Sequence, residues 1–414
     1  MSSTRSLLFI IALGLSLLGV IMVYSATYRD FGPHYLVVRG GHLGLGLGAF
    51  FLARRVRYTA WREVAKYYYF LVLGLLVLVL IPGIGSTVGG ARRWIDLGLF
   101  SLQPSEFAKL AAVLVLSCAL ARLPKGSGMP FKTLGAVGLL TGLVLVEPDF
   151  GTSVVLLCGA AGALWASEVR TRDLLIAGGA GFVALILVMI TEPYRRDRFM
   201  TFLDPWTVAD GSGYQVVQSM IAIKAGDFLG IGAGAGGESV SIPEVQTDMI
   251  FALIGQELGL VGMAVVILSF GTLAVLGYRI ALKAPTVMAR CIASGLTTMF
   301  SVQAVFNMGA AMVVLPLAGI TLPFISYGGS SLIVCFAAIG ILYRISEDTE
   351  RASAAKPTRR RKPANSKKSY GKTRGIDERE RKQGRRRASG RHGRDGDHRG
   401  RRDGGTRDPR PLRG

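Results

Sequence analysis

Ten runs of mostly apolar residues, near 7–25, 36–53, 66–83, 104–121, 131–146, 151–168, 173–191, 248–278, 287–314 and 323–344, punctuate this 414-residue chain. A helix needs roughly 20 such residues to cross the ~30 Å hydrocarbon layer of a bilayer. Hydrocarbon offers backbone amides no partners, so each run must satisfy its own hydrogen bonds as a helix. The expected fold is an all-α integral membrane protein of about ten transmembrane helices, with its largest loop, roughly 192–247, between spans seven and eight. The first run is too long for a signal peptide and lacks a small-residue cleavage site, so it is expected to stay in the protein.

Charge divides the chain in two. Half of it is apolar, yet its formal net charge is +21. Residues 351–414 hold 24 Lys and Arg against 7 acids, a net +17, which leaves +4 for everything before them. Residues 1–347 therefore read as a membrane domain and 348–414 as a disordered basic cytoplasmic tail, too poor in apolar surface to fold alone. Such a tail suits anionic lipid. Nucleic-acid binding is not expected, because no aromatic interleaving or folded motif accompanies the charge.

Cationic loops collect on the cytoplasmic side. Placing the N-terminus inside gives that face 15 Lys and Arg besides the tail, and leaves outside only Arg29, Arg92, Arg93, Arg195, Arg196, Arg198 and Lys224. Both termini are then cytoplasmic. Arg39 and Lys109 fall within spans. The four cysteines lie in apolar runs and the four histidines form no HxxxH or HExxH pattern, so neither a disulfide framework nor a zinc-type site is expected.

Two outward clusters run against the topology rule, GARRWIDLG at 90–98 and YRRDRF at 194–199. Arginine presents a permanently charged donor fork that suits phosphate oxygens, and several together could hold a pyrophosphate. The plainer role is pairing with Asp96, Asp197 or Asp204. Between the clusters and the eighth span, Tyr214, Val217 and Ile221 share one face of a short interfacial helix, followed by the glycine-rich GDFLGIGAGAGGE.

The acids come next. Asp248 stands at the mouth of the eighth span with Glu244 just before it; it could act as a base, or simply cap the helix. Glu257 lies nine residues on, about 13 Å deeper and half a turn around. Acids at such depth are costly and usually functional. Lys109 is the candidate partner for Glu257, or else a second phosphate contact.

These blocks together resemble a known family. GARRWIDLGLFSLQPSEFAKL, EPDFGTS, YRRDRFMTFLDPW with GSGYQVVQS, IPEVQTD with IGQELG, and NMGAAMVVLP followed by GITLPFISYGGSSL are similar to the SEDS family of bacterial peptidoglycan glycosyltransferases over about residues 10–345. EPDFGT and GITLPFISYGG are closer to its division branch than to its elongation branch.

The resemblance implies a ten-span SEDS fold in the bacterial cytoplasmic membrane, at the division septum. It also implies polymerisation of lipid II, an undecaprenyl-pyrophosphate-linked disaccharide pentapeptide, at the outer face of that membrane. The family's catalytic Asp falls on Asp248. Gln246 and Gln256 depart from the pattern, which usually has His and often Glu there, so a proton relay through that His is not expected and Asp248 is left as the stronger base. Arg93, Lys109, Arg195, Arg196, Arg198 and Glu244 are the candidate substrate contacts, joined by Gln218 and Ser326, which lie in two of the quoted blocks.

No organic cofactor is expected. A magnesium or manganese ion bridging the pyrophosphate is compatible with the chemistry. The implied partners are a class B penicillin-binding protein, the division complex and membrane lipid. A lipid II flippase and an elongation polymerase are the alternatives; the first is weakened by the absence of an inverted repeat and by polar chemistry gathered on one side. Deleting residues 351–414 should leave polymerisation largely intact, and loss of polymer from the truncated enzyme would count against a passive tail.

Overall fold

The computed structural model describes residues 2–88, 91–98, 100–234 and 244–354; of the expected tail 348–414, residues 348–354 continue the last helix and 355–414 lie outside the described residues, as do Ile242–Pro243. The helices are α1 (Ser2–Phe31), α2 (His34–Arg55), α3 (Trp61–Leu80), α4 (Pro104–Leu120), α5 (Phe131–Val146), α6 (Phe150–Trp165) and α7 (Thr171–Thr191). They continue as α8 (Pro193–Leu203), α9 (Tyr214–Gly226), α10 (Ile250–Lys283), α11 (Val287–Ala311) and α12 (Gly329–Ala354). Helices stand at all ten places where the sequence puts a span. Seven of them, α1, α2, α3, α7, α10, α11 and α12, are long and apolar enough to cross a membrane by length and composition among the described residues. α5 and α6, at 16 residues each, are shorter.

Two features depart from the all-helical expectation. A small antiparallel sheet, β1 (Gly85–Val88), β2 (Ala91–Asp96) and β3 (Ser101–Leu102), sits between α3 and α4 in the order β1-β2-β3. In β2 the buried Ala91 and Ile95 flank half-exposed Arg92, Arg93 and Trp94. The last apolar run, expected as helix from 323, stays non-helical until Gly329. Pro316 and Pro323 each remove a donor and disfavour helix in the residue before them. Val313, Gly319 and Phe324 take left-handed backbone angles there, with φ of 57°, 64° and 68°.

α11 forms the centre of the bundle and packs against α4, α6, α10 and α12. Small residues allow close approach, as expected where packing rather than hydrophobicity drives association. Ser294 of α11 donates to the carbonyl of Gly162 on α6 at 2.8 Å, and a Cβ at Gly162 would come within 2.1 Å of the Thr298 hydroxyl. α7, by contrast, buries no residue.

The polar groups inside the bundle pair differently from expectation. Lys109, 2 % exposed, meets Glu106 one turn away at 2.9 Å and Gln303 of α11 at 2.8 Å. Gln303 passes the link on by donating to the Thr321 carbonyl at 2.9 Å. Lys109 is thus paired within the core with Glu106 and Gln303 rather than with Glu257. Glu257 instead accepts from Ser25 of α1. It stands where α10 is interrupted at Gly259, φ 64° and ψ −164°, and the loop after α9 caps the break: Ile231 donates to the Gln256 carbonyl at 3.0 Å and Gly232 to that of Glu257 at 3.1 Å.

At the far end of the bundle Arg5 pairs with Glu350 and Arg54 with Glu347, at 2.8 and 2.9 Å, so α12 is tied to α1 and α2 through residue 350.

Replacing Lys109 by Met should leave the Glu106 carboxylate buried without its cation, a loss of roughly 3–5 kcal/mol. A melting curve of the purified protein in detergent should show a clear fall in Tm; an unchanged Tm would mean that the pair contributes nothing.

Candidate active site

Asp248 lies in the turn that leads into α10. Its amide and that of Thr247 both donate to the Glu244 carbonyl, at 3.2 and 3.0 Å. Three groups from elsewhere hold this turn by its backbone. Tyr327 N donates to Gln246 O at 2.8 Å and the Ser326 hydroxyl to Thr247 O at 2.6 Å. Asn307 of α11 donates to Asp248 O at 2.9 Å and to Ile320 O at 2.8 Å, joining the turn to the non-helical segment. With its backbone fixed, the half-buried Asp248 side chain is directed by its surroundings rather than by the helix. The N-cap of α10 is Met249, with no side-chain cap bond, so Asp248 does not act as the cap.

Gly319 forms the floor beneath it. A Cβ built there would lie 3.3 Å from Arg198 Nη1 and 3.7 Å from Asp248 Oδ2, so the guanidinium from α8 and the carboxylate converge over one glycine. Burial pushes the Asp248 carboxyl up to about 6; Arg198 opposes the shift, Glu244 and Asp149 add to it, and Arg93 opposes it more weakly. Desolvation favours the neutral acid and nearby cations the carboxylate, and here desolvation wins.

Arg93 reaches the same region from β2. Its Nε donates to Glu147 O at 2.8 Å and its Nη2 to Pro148 O. The Glu147 side chain is fully buried, neither of its oxygens has a partner among the described residues, and burial with Asp149 nearby pushes it to about 9. It is therefore neutral at pH 7.

Asp149 was absent from the sequence candidates. It caps α6 by accepting from Thr152 N at 3.1 Å and also accepts from Gln103 at 3.3 Å and Ser105 at 3.2 Å, which ties the starts of α4 and α6 beside the site. An Asp three residues before Thr152 at the head of an apolar run is a capping signal that could have drawn attention to it.

The structure brings together Asp248, Glu244, Arg198 and Arg93, and adds Asp149. Arg196 is exposed on α8, and the side chain of Arg195 lies outside the described residues. Gln218 is half-buried on α9, which packs along α10. The Ser326 hydroxyl is engaged twice, donating to Thr247 O and accepting from Leu322 N at 2.8 Å, so it shapes the site from beneath. Lys109 is held in the core pair.

The comparisons with known proteins agree with this architecture. A family model for the FtsW, RodA and SpoVE group, described as cell cycle protein, matches residues 5–351. The probable peptidoglycan glycosyltransferase FtsW of Coxiella burnetii is 39 % identical over 361 residues, covering 82 % of this chain and 95 % of the relative. A chain from a structure titled "Structural coordination of polymerization and crosslinking by a peptidoglycan synthase complex" superposes with a TM-score of 0.68 at 33 % identity, over 83 % of this chain and 97 % of that one. The rod shape determining protein RodA of Thermus thermophilus superposes with a TM-score of 0.62 at 28 % identity, over 83 % and 96 %.

Gly319→Ala should strain a left-handed backbone position and push Arg198 away from Asp248. Because Arg198 lowers the carboxyl's pKa, its displacement should move the titration upward from about 6. Infrared difference titration, with Asp248→Asn subtracted, reads that shift; an unmoved midpoint would break the link between the two side chains.

Proposed function

The chain belongs to the FtsW/RodA/SpoVE family of cell cycle proteins and is a multi-pass membrane peptidoglycan glycosyltransferase, and from that premise we propose that it polymerises lipid II with Asp248 as general base. The supporting observation is the convergence of Asp248 and Arg198 over Gly319. A base must be ionised at working pH yet basic enough to accept a proton, and a carboxyl near 6 meets both needs better than one near 4.

In this reading the acceptor sugar's 4-hydroxyl oxygen attacks the anomeric carbon of the donor MurNAc from the face opposite the pyrophosphate. The hydroxyl proton passes to Asp248. The bond from anomeric carbon to phosphate oxygen breaks with inversion, and undecaprenyl pyrophosphate leaves. Charge grows on the leaving oxygen, which preorganised cations stabilise most when water is excluded. Arg198 would take that role, and Arg93 would contribute its field while its donors hold the Glu147–Pro148 carbonyls. Arg195, Arg196, Gln218 and Glu244 remain proposed contacts for the rest of the substrate.

Among the described residues no group of three or more His, Cys, Asp or Glu is arranged to hold a metal.

Ten spans, cytoplasmic termini, outward-facing chemistry and a septal location complete the proposal. So does a penicillin-binding transpeptidase as partner, in keeping with the complex named for the structural neighbour.

Reconstitution with that partner and labelled lipid II tests it. Wild type should form glycan polymer, and Asp248→Asn should lose on the order of 10²–10⁴-fold in rate while remaining folded. kcat/KM should fall as pH drops through about 6, because the base is protonated below its pKa. Lipid II translocation without polymer would overturn the assignment.

A further inference from the structure

Arg39 is the largest polar side chain sealed inside the bundle. It sits on α2 with 0 % exposure. A cation at such depth is costly, and in membrane helices its retention signals a function. Its Nη2 donates to Phe324 O at 2.7 Å and to Ile325 O at 3.1 Å, while Nε and Nη1 have no hydrogen-bond partner among the described residues. Both acceptors belong to the non-helical stretch before α12, where free carbonyls have no helix to satisfy them.

That stretch is gripped from several sides. On α1, a Cβ at Gly19 would come within 2.5 Å of Ile325 O, so that backbone lies directly against the helix. Tyr35 and His42 of α2 pack on Tyr327, with ring centroids at 5.0 and 5.8 Å. Phe324 holds φ 68°, a left-handed conformation that is strained for a bulky residue and persists only when neighbours enforce it. The two residues after Ile325, Ser326 and Tyr327, are the ones that hold Thr247 and Gln246.

We infer that Arg39 is a positioning residue for the active site: by fixing Phe324 and Ile325 it sets Ser326 and Tyr327 in the register that presents Asp248 to substrate. The inference rests on the proposed role of Asp248. Arg39 acts through the backbone, so its removal changes where the base stands and how well it is shielded from water rather than which groups bind substrate. The charged groups facing Asp248 are Arg198 from α8, Arg93 from β2, Asp149 from the α6 cap and Glu244 from its own turn; a change at Arg39 removes none of them.

The test uses the full chain with its partner transpeptidase and labelled lipid II, comparing Arg39→Met, Arg39→Lys and Asp248→Asn. Small misplacements of a catalytic group cost up to about a hundredfold. Arg39→Met should therefore lower kcat roughly ten- to a hundredfold with KM for lipid II nearly unchanged. It should also move the acid limb of the pH profile to lower pH as water reaches Asp248. Because one nitrogen makes both bonds, the Lys ammonium should restore most of kcat and return the limb.

If Arg39→Met does not fold, Gly19→Ala, which presses on the Ile325 backbone from α1, should give the same kcat loss and the same limb shift. A wild-type kcat and limb in Arg39→Met, or fewer active molecules with an unmoved limb, overturns the inference. Polymer from Asp248→Asn would instead remove the base assignment on which it depends; an inactive Asp248→Asn beside an unaltered Arg39→Met removes only the positioning role.

Discussion

Unpaired backbone is the problem this bundle has to solve. Between Ala311 and Gly329 the chain leaves helix while still surrounded by helices, and each free amide or carbonyl there would cost several kcal/mol if left in an apolar setting. Four side chains answer it: Arg39 from α2, Asn307 and Gln303 from α11, and Ser326 from within the segment. The solution fixes the geometry of a stretch that a helix could not have supplied. The catalytic turn is fastened to that same stretch, so fold and site share one set of hydrogen bonds.

The carboxyl groups illustrate how burial sorts chemically identical side chains. Glu147, enclosed and without donors, is held neutral; Asp149, accepting from Thr152, Gln103 and Ser105, is spent on joining helices; Asp248, half-buried beside two guanidinium groups, is poised between the two states. Hydrogen bonding to the charged form and desolvation pull in opposite directions, and the balance differs at each site. The division of labour comes from surroundings rather than from residue type.

Much of this was legible in the chain. Long apolar runs determine helices because hydrocarbon leaves no alternative, and Asp248 at the head of such a run stood out as an acid in an expensive place. The partners of buried charges were not legible. Lys109 and Glu257 looked suited to each other by depth, yet Glu106 lies one turn from Lys109 on the same helix and Ser25 comes from a helix far away in sequence. The sheet before α4 hid in a glycine-rich linker with only weak alternation. The non-helical start of the last run hid inside an apolar pattern that reads as helix, and only Pro316, Pro323 and the surrounding glycines hinted otherwise. Asp149 escaped notice because a cap and a catalytic neighbour look alike in one dimension.

Arg39 and the carbonyls it grips are separated by 285 residues. At 5–20 residues per second of synthesis, roughly 15 to 60 seconds pass between the emergence of the guanidinium from the ribosome and the arrival of its acceptors. Throughout that interval the second helix carries an unanswered charge that must be kept wet, by lateral water, by lipid headgroups or by the insertion machinery. Biogenesis of this protein thus includes a waiting period that ends only when the final helix docks.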